Sequence, residues 1–175
     1  HHTTSLVFND APLHTRVRKA IAGALSPRAI AGMDVVVGQL VDRLLDDMAA
    51  RQADGKPIDA VADFAQNIPI EVIGNLLAIP RAERDPLRDW SLAILGALEP
   101  EINDAQFDAG EAAVRDFLAY LQALVARRQA EGVQDASDIM ARLIRETGAA
   151  GEDANLLPHE LLQNCIFILN AGHET

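Results

Sequence analysis

The chain has 175 residues, 49% apolar and 23% charged, enough to bury one hydrophobic core. With 26 acidic against 15 basic residues its formal charge is -11, which argues against nucleic acid as the main partner, because phosphate binding needs clustered Lys and Arg. The single cysteine, Cys165, excludes an intrachain disulfide and any multi-cysteine zinc or iron–sulfur site. No apolar run reaches the ~18 residues of a membrane span, and no basic-then-apolar secretory start is visible. Aromatics make up only 4%, and Ala and Leu dominate, which favours helix over a β-sandwich or barrel. The expected class is a soluble, cytoplasmic, mainly α protein, with residues 1–175 as one helical segment.

In chain order, His1 to Phe8 reads as a loop with no helical period. Asn9, Asp10 and Pro12 signal a helix start near Ala11, carrying Leu13, Val17, Ile21 and Ala24 on one face and stopping near Ser26–Pro27. From Met33 to Ala50 the series Val36, Val37, Leu40, Val41, Leu44, Leu45, Met48 has helical spacing, and Asp54-Gly55-Lys56-Pro57 ends it. Pro57-Ile58-Asp59 is the one strand candidate. Residues 60–79 are predicted helical with a break or kink at Pro69, and the stretch 69–80 is apolar nearly all round, so its helix is expected to be buried. Further helices are predicted over 84–98, 105–130 (closed by Gly132), 137–146 and from Pro158 to the end, with a loop over 148–156. About seven helices without a sheet is the architecture these spacings support. The final helix ends on an acid, and its apolar run lacks a partner within so short a remainder, so the chain is expected to be part of something longer.

The charge is uneven. Residues 1–30 hold Arg16, Arg18, Lys19 and Arg28 against the single acid Asp10, and the rest is strongly acidic. A basic opening on an acidic body points to a local anion site for a cofactor carboxylate or phosphate, or to an acidic partner protein; ordinary solvated helix charges give the same pattern. His14 and Arg18 are four apart and share a helix face, so both can donate to one carboxylate or phosphate; a chance pairing on the surface has the same spacing. At the other end Gly172 lets a ligand approach the backbone, and Glu174 and Thr175 can pass a proton; a plain helix terminus with a stray acid is the alternative. Cys165 lies among bulky apolar residues with no base nearby and is expected to be buried and inert, about 15 Å along the helix from Thr175. His159 reads as an exposed first-turn residue, and His173 has no second histidine at ligand spacing.

Asn9-Asp10-Ala11-Pro12-Leu13-His14-Thr15-Arg16-Val17-Arg18, followed by Leu25-Ser26-Pro27-Arg28, resembles the C-helix region of the bacterial cytochromes P450, the haem-thiolate monooxygenase family. Ile68-Pro69-Ile70-Glu71-Val72-Ile73 through Leu76-Leu77-Ala78-Ile79-Pro80 looks like its E-helix signature, and Ala171-Gly172-His173-Glu174-Thr175 is similar to the oxygen-activating stretch of its I helix. The resemblance implies an incomplete helical part of that fold, from the C helix to the middle of the I helix. It implies that His14 and Arg18 bind haem propionates, that Ala171 and Gly172 form the groove over the haem, and that Glu174 and Thr175 steer protons to dioxygen. It further implies a small apolar substrate near Trp90 and Phe107, and a ferredoxin or flavodoxin electron donor meeting Arg16 and Lys19. The family's thiolate loop is not in this sequence, and Cys165 does not occupy the ligand position. The parent is therefore expected to be the monooxygenase and the 175-residue chain alone inactive as one. Two other readings stay open: a histidine-ligated, peroxidase-like haem binder using His173 or His14, with homo-oligomers formed through uncovered apolar faces, and a cofactor-free helical module.

Overall fold

The computed structural model describes residues 4–25, 27–132, 138–147 and 156–174. Its helices are α1 (Leu13–Ala24), the four-residue α2 (Pro27–Ile30), α3 (Met33–Ala53), α4 (Asn67–Leu76), α5 (Pro86–Gly96), α6 (Asp104–Glu131), α7 (Ile139–Thr147) and α8 (Pro158–Glu174). Short turns over Leu6–Phe8, Ala60–Ala65 and Arg81–Glu83 complete the described order. The predicted start of the seventh helix at Ser137, the loop over 148–155 and Thr175 lie outside the described residues.

The helix α8 is the axis of the packing, in contact with α4, α5, α6 and α7. Leu161, Cys165, Ile166, Ile168 and Leu169 are all buried, on more than one side of the helix, which accounts for an apolar run that sequence alone could not partner. Around it Leu87 and Ile94 of α5, Phe117, Leu121 and Leu124 of α6, and Met140, Leu143 and Ile144 of α7 close one core. Each such side chain contributes about 1.5–3 kcal/mol by leaving water. Val17, Ala20 and Ile21 seat α1 against α7 and the same core.

Residues 57–59 are not a strand: they run extended into the turn at Ala60, and no strand exists among the described residues for them to pair with. Pro69 does not break the chain. It sits in the first turn of α4, where its missing N–H has no intrahelical bond to lose, and just before it, at Gln66, the π-helical turn over Ala60–Ala65 gives way to α-helix. The helix α4 is also less buried than its composition predicts: Ile73 and Gly74 are buried, whereas Ile68, Pro69, Ile70 and Val72 are only half-buried.

The end of α4 is held by Arg84, itself buried. Its guanidinium donates to the Ile79 carbonyl from Nε (2.9 Å) and Nη2 (2.8 Å), to the Glu71 carbonyl and carboxylate from Nη1 (3.2 and 2.7 Å), and to Asn75 Oδ1 from Nη2 (2.7 Å). Ala78 takes a left-handed φ of 52°, and the Ile79 N–H returns to the Gly74 carbonyl at 2.8 Å while the Ala78 N–H returns to Asn75 at 3.1 Å. This is the paired closure in which glycine is the usual residue.

Candidate functional site

A turn of 100° per residue explains how α1 divides its polar groups. Val17, Ala20 and Ile21 form the buried stripe. Arg16 projects from one flank of it, and His14 and Arg18 project from the other. Arg16 donates from Nη1 to Glu160 Oε2 at 2.7 Å and from Nη2 to Glu160 Oε1 at 2.5 Å, fixing α1 to the first turn of α8. The Glu160 side chain is only 2% exposed, and it also accepts the Leu157 N–H at 2.8 Å, so it caps α8 as well. Burial pushes the Glu160 carboxyl up, but the Arg16 fork and the Leu157 N–H outweigh it, and its pKa is held below the ordinary value. Hydrogen bonding to Glu160 raises the Arg16 pKa in turn.

Two residues away the opposite holds. His14 is half-buried and Arg18 exposed, and among the described residues neither side chain has a hydrogen-bonding or ion-pair partner. The sharing of a flank predicted from their spacing is therefore present, with no internal anion to satisfy it. Such a pair can receive carboxylates, as a haem edge would offer. Cys165 is fully buried, and burial pushes its thiol up to about 12, so it is no free nucleophile.

At the far end of α8, Ala171 is exposed, Gly172 and His173 are half-buried, and Glu174 is the last helical residue. The side of Gly172 where a Cβ would point is occupied by the Ile73 side chain of α4: a methyl there would lie 2.7 Å from Ile73 Cγ1 and closer still to Cδ1. The open side of this glycine thus faces a neighbouring helix. One residue earlier, Asn170 Oδ1 accepts a 3.2 Å hydrogen bond from Ser91 Oγ of α5, and both residues are buried.

Sequence reading missed three anchors of this arrangement. Asn164 accepts the Leu6 N–H and donates to the Thr4 and Glu160 carbonyls, and Gln163 accepts from Thr4, so residues 4–8 are tied to α8. The Arg16–Glu160 pair joins residues 144 apart and has no local spacing to announce it. Ser91–Asn170 left no trace in spacing at all.

The comparisons with known proteins weigh on these two ends. No family model matches the chain. Among curated relatives, the chain is 33% identical over 171 residues to cytochrome P450 107B1 of Saccharopolyspora erythraea, covering 97% of the chain and 38% of that protein. It is 32% identical to the mycinamicin IV hydroxylase/epoxidase of Micromonospora griseorubida, covering 97% and 39%. The crystal structure of CalO2 superposes with a TM-score of 0.85 at 26% identity, over 97% of the chain and 40% of that structure. Over nearly its whole length this chain is similar to a segment of bacterial cytochromes P450. The LnmA cytochrome P450 hydroxylase of Streptomyces atroolivaceus matches similarly, with a TM-score of 0.79 at 30% identity. The chain spans about two-fifths of the length of the curated relatives it matches. Among the described residues its architecture is helical without strands and superposes on those structures over the matched part, and no helix among them is long and apolar enough to cross a membrane.

Proposed function

We propose that this segment belongs to a haem-dependent monooxygenase that inserts one oxygen atom from O2 into a small apolar organic substrate. The observation that carries the reading is the likeness to a cytochrome P450 over 97% of the chain. Haem, when bound, supplies the centre at which dioxygen is reduced and cleaved. In this reading the chain's own residues bind, orient and move protons. His14 and Arg18 hold the propionates, each charge-assisted bond contributing roughly 1.5–3 kcal/mol where partly desolvated. Ala171 and Gly172 line the distal groove, and the Glu174 carboxyl and Thr175 hydroxyl hand on protons at that face.

Substrate is assigned to a place against α8 and the segment between α5 and α6, near Trp90 and Phe107. Trp90 stacks on Phe117 with ring centroids 5.1 Å apart and tilts against Tyr120 at 5.9 Å, so it serves as a wall already fixed in the core. Phe107 is 48% exposed at the start of α6 and is the freer contact. A ferredoxin or flavodoxin is the proposed electron donor, meeting Lys19, which is exposed. Arg16 is less suited to that role because its guanidinium is committed to Glu160. The cytoplasm is the proposed compartment.

The test is the absorption spectrum and haem content of the full-length protein, with His14→Ala and Arg18→Ala beside it. The expected result is one haem with a thiolate-type spectrum, and haem lost from the double variant during gel filtration. A protein that stays colourless after growth with haem precursor overturns the reading in favour of a cofactor-free module. A histidine-type spectrum abolished by His173→Ala overturns it in favour of a histidine-ligated haem binder.

A further inference from the structure

We propose that Ile73, a residue of α4 outside both motif-bearing ends, is the positioning residue that sets where the last turn of α8 lies, and that Gly172 is glycine in order to receive it. The proposal rests on the monooxygenase reading for the role of that turn, and on packing alone for the contact itself.

Ile73 is 5% exposed and belongs to the main core, so its side chain has no free space to retreat into. A Cβ built on Gly172 would meet Ile73 Cδ1 and, at 2.7 Å, Ile73 Cγ1. The outer methyl could swing aside by rotation about χ2, but Cγ1 moves only with χ1, which is stiff in a β-branched residue on a helix. The α8 backbone at residue 172 is therefore pressed directly against α4, at a spacing that only glycine permits. Gly172 lies two residues before Glu174, the last residue of α8, within the same turn, so any outward shift of α8 there is passed to that residue. Gly74, the next residue of α4, is itself covered by Arg84, whose five hydrogen bonds fix the end of this helix. Ile73 thus stands on a rigid base. Ser91 and Asn170 join α8 to α5 just before the glycine, so a displacement at 172 is absorbed toward the C-terminal end of the helix, not upstream.

The experiment is a double-mutant cycle in the full-length protein with Gly172→Ala, Ile73→Ala and both together. Two readouts are taken: the thermal midpoint, and the dissociation constant of imidazole from the ferric protein, a probe of the space at the end of α8. Gly172→Ala is expected to lower the midpoint and to change imidazole affinity by about tenfold, since displacements near 1 Å have effects of this order or larger. Ile73→Ala is expected to restore that affinity to within about twofold when added to Gly172→Ala, the coupling expected of residues in direct contact. Independent effects on both readouts would overturn the proposal. Coupling in the midpoint with imidazole affinity unmoved would also overturn it, because Ile73 would then be core packing only. If the unaltered protein binds no haem, the monooxygenase reading fails instead, and with it the positioning role; the thermal cycle then still decides whether Gly172 exists to receive Ile73.

Discussion

Arg16 and Glu160 lie 144 residues apart in sequence and are joined by two hydrogen bonds, of 2.7 and 2.5 Å, between the guanidinium and the carboxylate. Because Glu160 is almost wholly buried, deleting its partner strands a charge. Arg16→Ala is expected to cost about 3 kcal/mol, at the lower end for a broken buried pair because Arg16 itself is one-third exposed. Glu160→Gln is expected to cost less, since the cation it leaves is one-third exposed and reaches water. The Glu160 pKa is lowered in the fold, so its contribution is present above the ordinary carboxylate pKa and is lost as pH falls through the folded value. Urea titrations at neutral and acid pH should show the gap between the native protein and Glu160→Gln closing on the acid side.

Ala78 presents the opposite case, a residue whose replacement should help. It occupies a φ of 52° at the closure of α4, where a Cβ crowds the following carbonyl. Ala78→Gly is expected to raise stability by about 1 kcal/mol, the left-handed penalty offset in part by glycine's greater freedom when unfolded. An unchanged or lower urea midpoint would show that Ala78 makes packing contacts worth more than the strain.

These two positions illustrate what sequence carries and what it does not. The apolar spacing of α5, α6 and α8 was legible because each buries a stripe that the periodicity records, whereas α3, equally periodic, buries only Leu40 and Leu44 and leaves Val36 and Leu45 exposed. Pro57-Ile58-Asp59 was misread because three extended residues look alike whether or not a partner strand exists. The His14 and Arg18 flank was legible as spacing, but its lack of an internal anion was not, since that depends on where every acid falls in space. Gly172 was read as an opening for a ligand because glycine signals close approach without saying to what, and the side its missing Cβ would take is filled by Ile73. Arg16–Glu160 and Ser91–Asn170 join distant helices, and no local pattern encodes such pairs.

Arg84 and Gly74 give a third prediction. A Cβ on Gly74 would fall 2.6 Å from Arg84 Cδ and 2.8 Å from Cζ. The guanidinium cannot step aside without losing its bonds to Ile79, Glu71 and Asn75. Gly74→Ala is therefore expected to cost about 3 kcal/mol, from overpacking together with broken charge-assisted bonds. In an Arg84→Ala background, which is already destabilised, the same change should cost well under 1 kcal/mol, because the obstacle is gone. Equal costs in the two backgrounds, measured by denaturant unfolding, would mean that Arg84 does not hold the end of α4.

Tyr120 is the only tyrosine in the chain, so its ionisation can be followed without ambiguity. Its hydroxyl donates to Glu83 Oε2 at 2.7 Å, and the same carboxylate takes two bonds from Arg127, at 2.9 and 2.7 Å. Arg127 first, then Tyr120, hold Glu83 down to about 2. For Tyr120 burial comes first and the Glu83 contact second, and both push its pKa above the ordinary tyrosine range. The two groups load opposite ends of the pH scale. Glu83 supports the fold above the ordinary carboxylate pKa and ceases to as pH falls toward 2, whereas Tyr120 favours the fold at neutral pH and loses that preference as pH climbs beyond its usual range. Tyrosinate absorbance in the native protein should therefore rise only at higher pH than in the urea-unfolded chain. Glu83→Gln should bring the native curve part of the way back, leaving the share due to burial. If native and unfolded curves coincide, the Tyr120–Glu83 bond does not persist in solution and the Arg81–Glu83 turn is not held against α6 through it.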